Sequence, residues 1–354
     1  MKAMVFYGTE HHLKLEEVPI PQIGPDDVLV RVRAAGICGS DIHIAVEGTT
    51  RPSRLPIILG HEAAGTIEAL GANVNDWRPS DRVSILPDVV CGNCVNCWNG
   101  RSELCLHRQL IGIHRDGALA DYVAAPARNL VKLPERISFE AGAIATDAVA
   151  TPYHALVRVG KIHAGERILI TGLGALGLHA VTLARVLGAS WIAAATHHPR
   201  AGQRARARGA DEVWESHFPD SASGSYDLAV DFSGDPQLID AAIRELRPGG
   251  RVVLVGISEK TLSKAQVTVS SIVRRGIAIV GSYGAHVGDL SEVLALADSG
   301  RINLENSVTH RFALADAYLA IQHLAEKLGD PIRVAILPTL EESHPSALCR
   351  PQTA

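Results

Sequence analysis

What the chain lacks narrows the field first. No apolar run in its 354 residues approaches membrane-spanning length, so no transmembrane helix is expected. Met1–Gly8 meets polar residues before a signal-peptide apolar stretch can form, which points to a cytoplasmic protein. Long basic runs are also missing, and a formal net charge of -4 leaves no electrostatic footprint for nucleic acid or an anionic membrane. Neither is expected as a partner. Aromatic residues make up only 4%, which leaves the core to Val, Ile, Leu and Ala. There is no internal repeat and no low-complexity segment. At 354 residues the chain is too long for one ordinary core, and two domains are the default.

Cysteine is sparse but unevenly distributed. Four of the six fall in one short stretch, Cys91-Gly92-Asn93-Cys94-Val95-Asn96-Cys97 followed by Cys105. Without a secretory signal, metal ligation explains this spacing better than disulfides. Four thiolates close a tetrahedral zinc site and leave no position for water, so such a site is structural. Cys349 lies in a polar tail with Pro345 and Pro351 and has no partner in the pattern. Earlier, Cys38-Gly39-Ser40-Asp41-Ile42-His43 and Gly60-His61-Glu62 bring a thiolate, an imidazole and carboxylates close in sequence, with glycines that let the backbone turn tightly. These residue types make up half of an open zinc site.

Residues 2–7 and 28–34 read as strands, the second with Val28, Val30 and Val32 alternating against Leu29, Arg31 and Arg33. Ala63–Leu70 and Asp81–Leu86 read as two more. From about residue 154 the character changes. The apolar strand Arg167–Thr171 runs into Gly172-Leu173-Gly174-Ala175-Leu176-Gly177 and then a helix through Leu187. Strand, glycine turn and helix form the setting in which G-x-G-x-x-G binds a dinucleotide: the backbone approaches the pyrophosphate, and the helix N-terminus attracts its charge. Strands at Trp191–Ala195, Tyr226–Phe232, Arg251–Val255 and Ile277–Val280 alternate with helices near Ala201–Arg208 and Leu238–Leu246. That alternation implies an α/β, doubly wound parallel sheet. A helix at Leu290–Asp298, a segment at Val308–Phe312, a helix at Leu314–Glu326 and a strand at Arg333–Leu337 follow, and residues 339–354 read as a disordered tail.

Together these features resemble the zinc-containing alcohol dehydrogenases of the medium-chain dehydrogenase/reductase superfamily, over residues 1 to 338. Gly60-His61-Glu62 with Gly65, Gly71 and Val74 fits the G-H-E-x-x-G-x(5)-G-x-x-V pattern of that family at every fixed position, and the cysteine lobe and glycine loop follow in the family's order. The resemblance implies a GroES-like, mainly β catalytic domain over 1–153 and 291–338, carrying both zinc sites. A Rossmann domain over 154–290 is inserted in it, and the active site lies in the cleft between them. Catalytic zinc is then expected on Cys38, His61 and Asp147, the last standing where many relatives have Cys and some secondary-alcohol-type relatives have an acid. Glu62 matches a movable carboxylate able to become a fourth ligand. Structural zinc falls to Cys91, Cys94, Cys97 and Cys105, making two zinc ions per subunit.

By the same resemblance Ser40 accepts the substrate proton, His43 is the outer base of the relay, and Asp41 orients a ligating histidine. Thr151 lies against the nicotinamide, Arg333 on the pyrophosphate, and Gly172, Gly174, Ala175, Leu176, Gly177, Val255 and Ser282 along the cofactor. The position where NAD-selective relatives carry Asp or Glu is Thr196, followed by His197, His198, Pro199 and Arg200, which favours NADP over NAD. The implied activity is reversible hydride transfer between NAD(P) and an alcohol/ketone or alcohol/aldehyde pair, on secondary or medium-chain alcohols, by a homodimer or homotetramer. The loop Ala45–Thr50 and the segment near Tyr283 are expected to shape the pocket. A polyol or amino-alcohol dehydrogenase is the nearest alternative, because such relatives share the acidic third ligand. A zinc-free quinone reductase lacks these ligands, and a non-catalytic cofactor-binding protein would not keep a suitable ligand set and relay together.

Overall fold

The computed structural model describes residues 1–11, 13–215, 224–261 and 267–340. The tail from 341 on, including Cys349, lies outside the described residues. Two compact units are formed, one from Met1–Asp147 with the chain from His286 onward, the other from Ala148–Ala285. The crossings therefore fall at Asp147 and His286, whereas the sequence places them at 153 and 291. No loop marks the first one, because the chain crosses inside a helical run.

That run explains itself locally. Helix Phe139–Ile144 is capped by Ser138, whose Oγ accepts from Ala141 N–H. It continues as a π turn at Ala145–Val149, a short helix at Ala150–His154 and a second π turn at Ala155–Val159. Pro152 has no N–H for the Ala148 carbonyl one turn earlier, and His179 Nδ1 donates to that oxygen instead at 3.0 Å. Neither π turn follows the ordinary helical period, so Asp147 is aimed by a local irregularity.

The first unit is mainly β. Its largest sheet runs Leu130–Lys132, Arg82–Ile85, Glu62–Leu70, Asp27–Ile37, Arg333–Leu337 and Val308–Ala313, with Tyr122–Pro126 also pairing Asp27–Ile37. A smaller sheet holds Leu13–Glu17, Lys2–Phe6 and Ile57–Ile58. Strand Asp27–Ile37 is the spine. Val28, Val30 and Val32 are buried and Arg31 and Arg33 exposed, as the alternation requires; beyond Ala34 both faces are covered. The expected helix over Leu314–Glu326 opens with a 3-10 turn at Leu314–Asp316, and its α-helical part is Ala317–Ala325.

The second unit carries a six-stranded sheet in the spatial order Glu212–Trp214, Trp191–Ala195, Arg167–Thr171, Tyr226–Asp231, Leu246–Leu254 and Ala278–Gly281. Every pairing is parallel. Numbered along the chain this is 3-2-1-4-5-6, with helices such as Ala175–Val186 and Pro236–Glu245 as crossovers. The order reverses between Arg167–Thr171 and Tyr226–Asp231, so a crevice opens at their carboxyl ends. Among the described residues no helix is long and apolar enough to cross a membrane.

Candidate metal and cofactor sites

Strand register builds the first site. Gly36 pairs with Glu62 across one side of the spine strand, and Ile37 pairs with Val334 across the other. The next residue on each chain is therefore delivered to one place: Cys38 at the end of its strand, His61 and Glu62 at the start of theirs, and Arg333 leading into its own. A Cβ on Gly36 would stand 1.9 Å from Glu62 Oε2, so only glycine lets the Glu62 side chain lie across the spine. Asp147 joins from the π turn. Cys38 Sγ lies 3.2 Å from Asp147 Oδ2, and His61 Nε2 lies 3.6 Å from the same oxygen.

Ligand atoms of Cys38, His61, Glu62 and Asp147 all fall within 4.8 Å of one another. Sulfur, nitrogen and oxygen held about 2.0–2.3 Å from a tetrahedral zinc stand about 3.3–3.7 Å apart. The His61–Asp147 edge falls within that spacing and the Cys38–Asp147 edge just short of it, so the donor set can close on the ion with a small adjustment. Electrostatics agree. Burial and the Asp147 charge push the Cys38 thiol up, and Asp147, Cys38 and Asp41 together outweigh burial to hold the His61 imidazolium well above its ordinary value. A divalent cation would replace those shared protons. Asp41 is buried, accepts from Cys38 N–H at 2.8 Å and lies 4.0 Å from His61 Nδ1, on the far side of the ring from Asp147.

Glu62 is fully buried and ion-paired with Arg333; burial pushes its carboxyl up to about 7 against the pull of that guanidinium. Arg333, which the resemblance placed on the pyrophosphate, is here paired with Glu62. With its side chain 3% exposed it serves Glu62, because the register with Ile37 sets it abreast of Cys38. Helix Gly39–Ala45 carries half-buried Ser40 in its first turn and exposed His43 in its last, with His43 Nδ1 2.7 Å from Glu47 Oε2.

The cysteine lobe forms a second pre-shaped site. Its sulfur pairs lie 3.5 Å (Cys105 to Cys91), 3.6 Å (Cys94 to Cys97) and 3.9 Å apart (Cys91 to Cys97, Cys94 to Cys105). Thiolates about 2.3 Å from a tetrahedral zinc would be about 3.8 Å apart. Backbone N–H groups of Cys91 and His107 each donate to Cys105 Sγ at 3.3 Å, and those of Cys97 and Leu106 help bring the Cys94 thiol down to about 6. Backbone donors thus favour the thiolate at Cys94 and Cys105, while burial and the neighbouring Cys94 push the Cys97 thiol up to about 12.

In the second unit the glycine loop is shaped from below. Asp231, at the end of the neighbouring strand, accepts from Thr171 Oγ1 at 2.6 Å, Ser233 Oγ at 2.5 Å and Gly234 N–H at 2.8 Å, tying the two strand ends at the switch point. Sequence reasoning missed Asp231. A Cβ on Gly172 or Gly177 would strike backbone at 2.6 and 2.1 Å, whereas one on Gly174 would meet nothing within 4 Å. Gly174 therefore borders open space over the N-terminus of helix Ala175–Val186, the cradle a pyrophosphate requires.

Val255 N–H donates to Asp231 O, Ser282 N–H donates to Leu254 O, and Ser282 Oγ is buried without a hydrogen-bond partner among the described residues. Thr151 is buried in helix Ala150–His154. Thr196 is buried just past strand Trp191–Ala195, its Oγ1 accepting from His198 N–H at 3.1 Å, while His197 and Arg200 are exposed beside it. Residues 196–200, which follow that strand, include no carboxylate.

Comparison with known proteins agrees with this geometry. Residues 24–135 match the model of the alcohol dehydrogenase GroES-like domain, and residues 175–299 that of the zinc-binding dehydrogenase domain. An L-threonine 3-dehydrogenase of Anaeromyxobacter dehalogenans is 32% identical over 328 residues, covering 89% of this chain and 93% of its own. A zinc-binding dehydrogenase of Sinorhizobium meliloti, solved bound to NADP, superposes with a TM-score of 0.87 at 29% identity over 95% of this chain and 99% of its own. The alcohol dehydrogenase TADH of Thermus sp. ATN1 superposes with a TM-score of 0.86 at 31% identity over 95% and 99%.

Proposed function

Since this chain belongs to the zinc-containing alcohol dehydrogenases of the medium-chain dehydrogenase/reductase superfamily, a zinc-dependent NAD(P) oxidoreductase of alcohols, we propose that it oxidises a secondary alcohol reversibly at Cys38, His61 and Asp147, with NADP as partner. The observation that carries the site assignment is the pair of short distances from Asp147 Oδ2 to Cys38 Sγ and His61 Nε2, which closes three donors around a hole of zinc size. In the same reading a second zinc sits in the cysteine lobe and keeps it folded. Unit Met1–Asp147 with its C-terminal return acts as the catalytic part, and Ala148–Ala285 binds the cofactor.

A zinc ion held there would supply Lewis-acid chemistry that eases loss of a proton from the substrate hydroxyl, and a bound nicotinamide would supply the hydride acceptor. Cys38, His61 and Asp147 hold the metal with two anionic donors; carboxylate in place of a second thiolate is the harder donor and leaves the cation more electrophilic. Asp41 orients the His61 ring. Ser40 takes the hydroxyl proton and His43 passes it towards solvent. Arg333 steadies the buried carboxylate of Glu62, which can approach the metal as a ligand leaves.

The NADP preference rests on the uncharged Thr196 with Arg200 and His197 beyond it, a pairing able to meet a 2′-phosphate. An amino-alcohol substrate is the second reading, favoured by the 32% identity to a protein named L-threonine 3-dehydrogenase; the 3-hydroxyl of threonine is itself secondary. A homo-oligomer is supported by the sheet edge Ala278–Gly281, where Ile279 and Val280 are exposed beside Val269 and Val273 of the neighbouring helix. Cytoplasmic residence completes the reading. The test is turnover of zinc-replete protein with secondary alcohols, polyols and β-hydroxy amino acids, each with NADP and NAD. Turnover of secondary hydroxyls with NADP is expected; strong preference for NAD, or for primary alcohols alone, contradicts it.

A further inference from the structure

Glu47 lies in the loop Ala45–Thr50, directly after the helix that carries Ser40 and His43. We propose that it is a positioning residue for the proton relay, fixing the His43 imidazole in the tautomer whose Nε2 accepts the proton. The inference rests on the reading of His43 as the relay's outer base.

Glu47 Oε2 lies 2.7 Å from His43 Nδ1. A carboxylate only accepts, so the bridging proton belongs to Nδ1, and the neutral ring must keep its lone pair on Nε2. The backbone holds the carboxylate there. Val46 and Glu47 N–H groups both donate to Ile42 O at 3.0 Å, closing helix Gly39–Ala45, and Gly48 then turns the chain with φ at +65. Thr50 N–H returns to His43 O at 3.2 Å, and Thr49 Oγ1 lies 3.5 Å from Glu47 Oε2. The segment folds back over the last helical turn and leaves Glu47 at the Nδ1 edge of the ring.

Helix stabilisation does not account for the contact. An acid following the last turn opposes the helix dipole, and a pair whose side chains are 47% and 46% exposed contributes little. Exposure instead suits a group that hands protons to water. In the relay step, the proton leaving the substrate hydroxyl reaches Nε2 through Ser40, the N–H at Nδ1 stays in place, and the resulting imidazolium releases the Nε2 proton to solvent. Glu47 keeps its hydrogen bond to Nδ1 throughout and stabilises the imidazolium while it exists.

The experiment is a double-mutant cycle on the zinc-loaded enzyme with a secondary alcohol: Glu47→Ala, Glu47→Gln, His43→Gln, and Glu47→Ala with His43→Gln, joined by 15N spectra of the imidazole. Glu47→Ala is expected to lower kcat about tenfold with little change in KM, to have almost no effect in the His43→Gln background, and to move the ring signal away from the Nδ1–H tautomer. Glu47→Gln keeps an acceptor oxygen and should fall between. An equal loss from Glu47→Ala in both backgrounds, or an unchanged 15N spectrum, overturns the proposal. If His43→Gln itself turns over at the parental rate, the relay reading fails instead, and the spectrum alone then decides whether Glu47 sets the tautomer.

Discussion

Two glycines of one loop should fail in opposite ways. Gly174 has φ -74 and ψ -165, a conformation open to alanine, and an added Cβ meets no protein atom within 4 Å. Gly174→Ala should therefore fold with stability within about 0.5 kcal/mol of the parent. The methyl group would project into the cradle, and loss of close backbone approach should weaken NADPH at least about tenfold, or about 1.4 kcal/mol. Gly177 is the reverse case. Its added Cβ would stand 2.1 Å from Gly172 O, a backbone atom that can yield only by moving the turn. Gly177→Ala should cost about 1–3 kcal/mol of stability, and for a protein of this size each 1 kcal/mol lowers Tm by about 2–4 °C. Scanning calorimetry reads the stability and NADPH fluorescence titration reads the affinity. Parental NADPH affinity in Gly174→Ala would refute the placement of the cofactor over this loop.

Two further outcomes follow from other parts of the molecule. Arg251 grips Glu166 through Nη1 and Nη2 at 2.9 and 2.8 Å, and against the effect of burial this fork holds the carboxyl below its ordinary 4.5. A depressed pKa adds stability that is present above about pH 4.5 and disappears as the pH falls through the folded-state value. Glu166→Gln should thus be less stable than the parent by about 0.5–1 kcal/mol at pH 7, a figure reduced for the solvent that reaches the pair, with the gap closing as the pH falls below about 4.5; a gap independent of pH in urea melts would contradict the pairing. In the cysteine lobe, Cys97→Ser should remove one of two zinc ions and lower Tm. Unchanged metal content by mass spectrometry would count against a structural zinc there.

Much of this was legible because local rules and tertiary structure agree. Strands Arg167–Thr171, Trp191–Ala195 and Arg333–Leu337 begin and end where their apolar runs do, and a glycine turn between strand and helix has one common use. The four cysteines carry their own spacing. The remainder depends on relations between distant segments. Asp147 faces Cys38 and His61 because a π turn aims it, and that irregularity has no sequence period. Arg333 meets Glu62 through two strand registers, which a single sequence does not print. Asp231 read only as one position within the strand Tyr226–Phe232; its hydrogen bond to Thr171 exists only once the strands lie side by side. The contact between Glu47 and His43 was the exception, an i,i+4 pair visible in principle but hidden by the turn at Gly48.

The most direct test joins metal content to turnover in Asp147→Ala. Parental protein should hold two zinc ions per chain and oxidise secondary alcohols. The variant should keep the cysteine-lobe ion, lose or weaken the other, and drop in kcat by about a hundredfold or more. Two tightly held ions and undiminished turnover in Asp147→Ala would contradict a catalytic centre built on Cys38, His61 and Asp147.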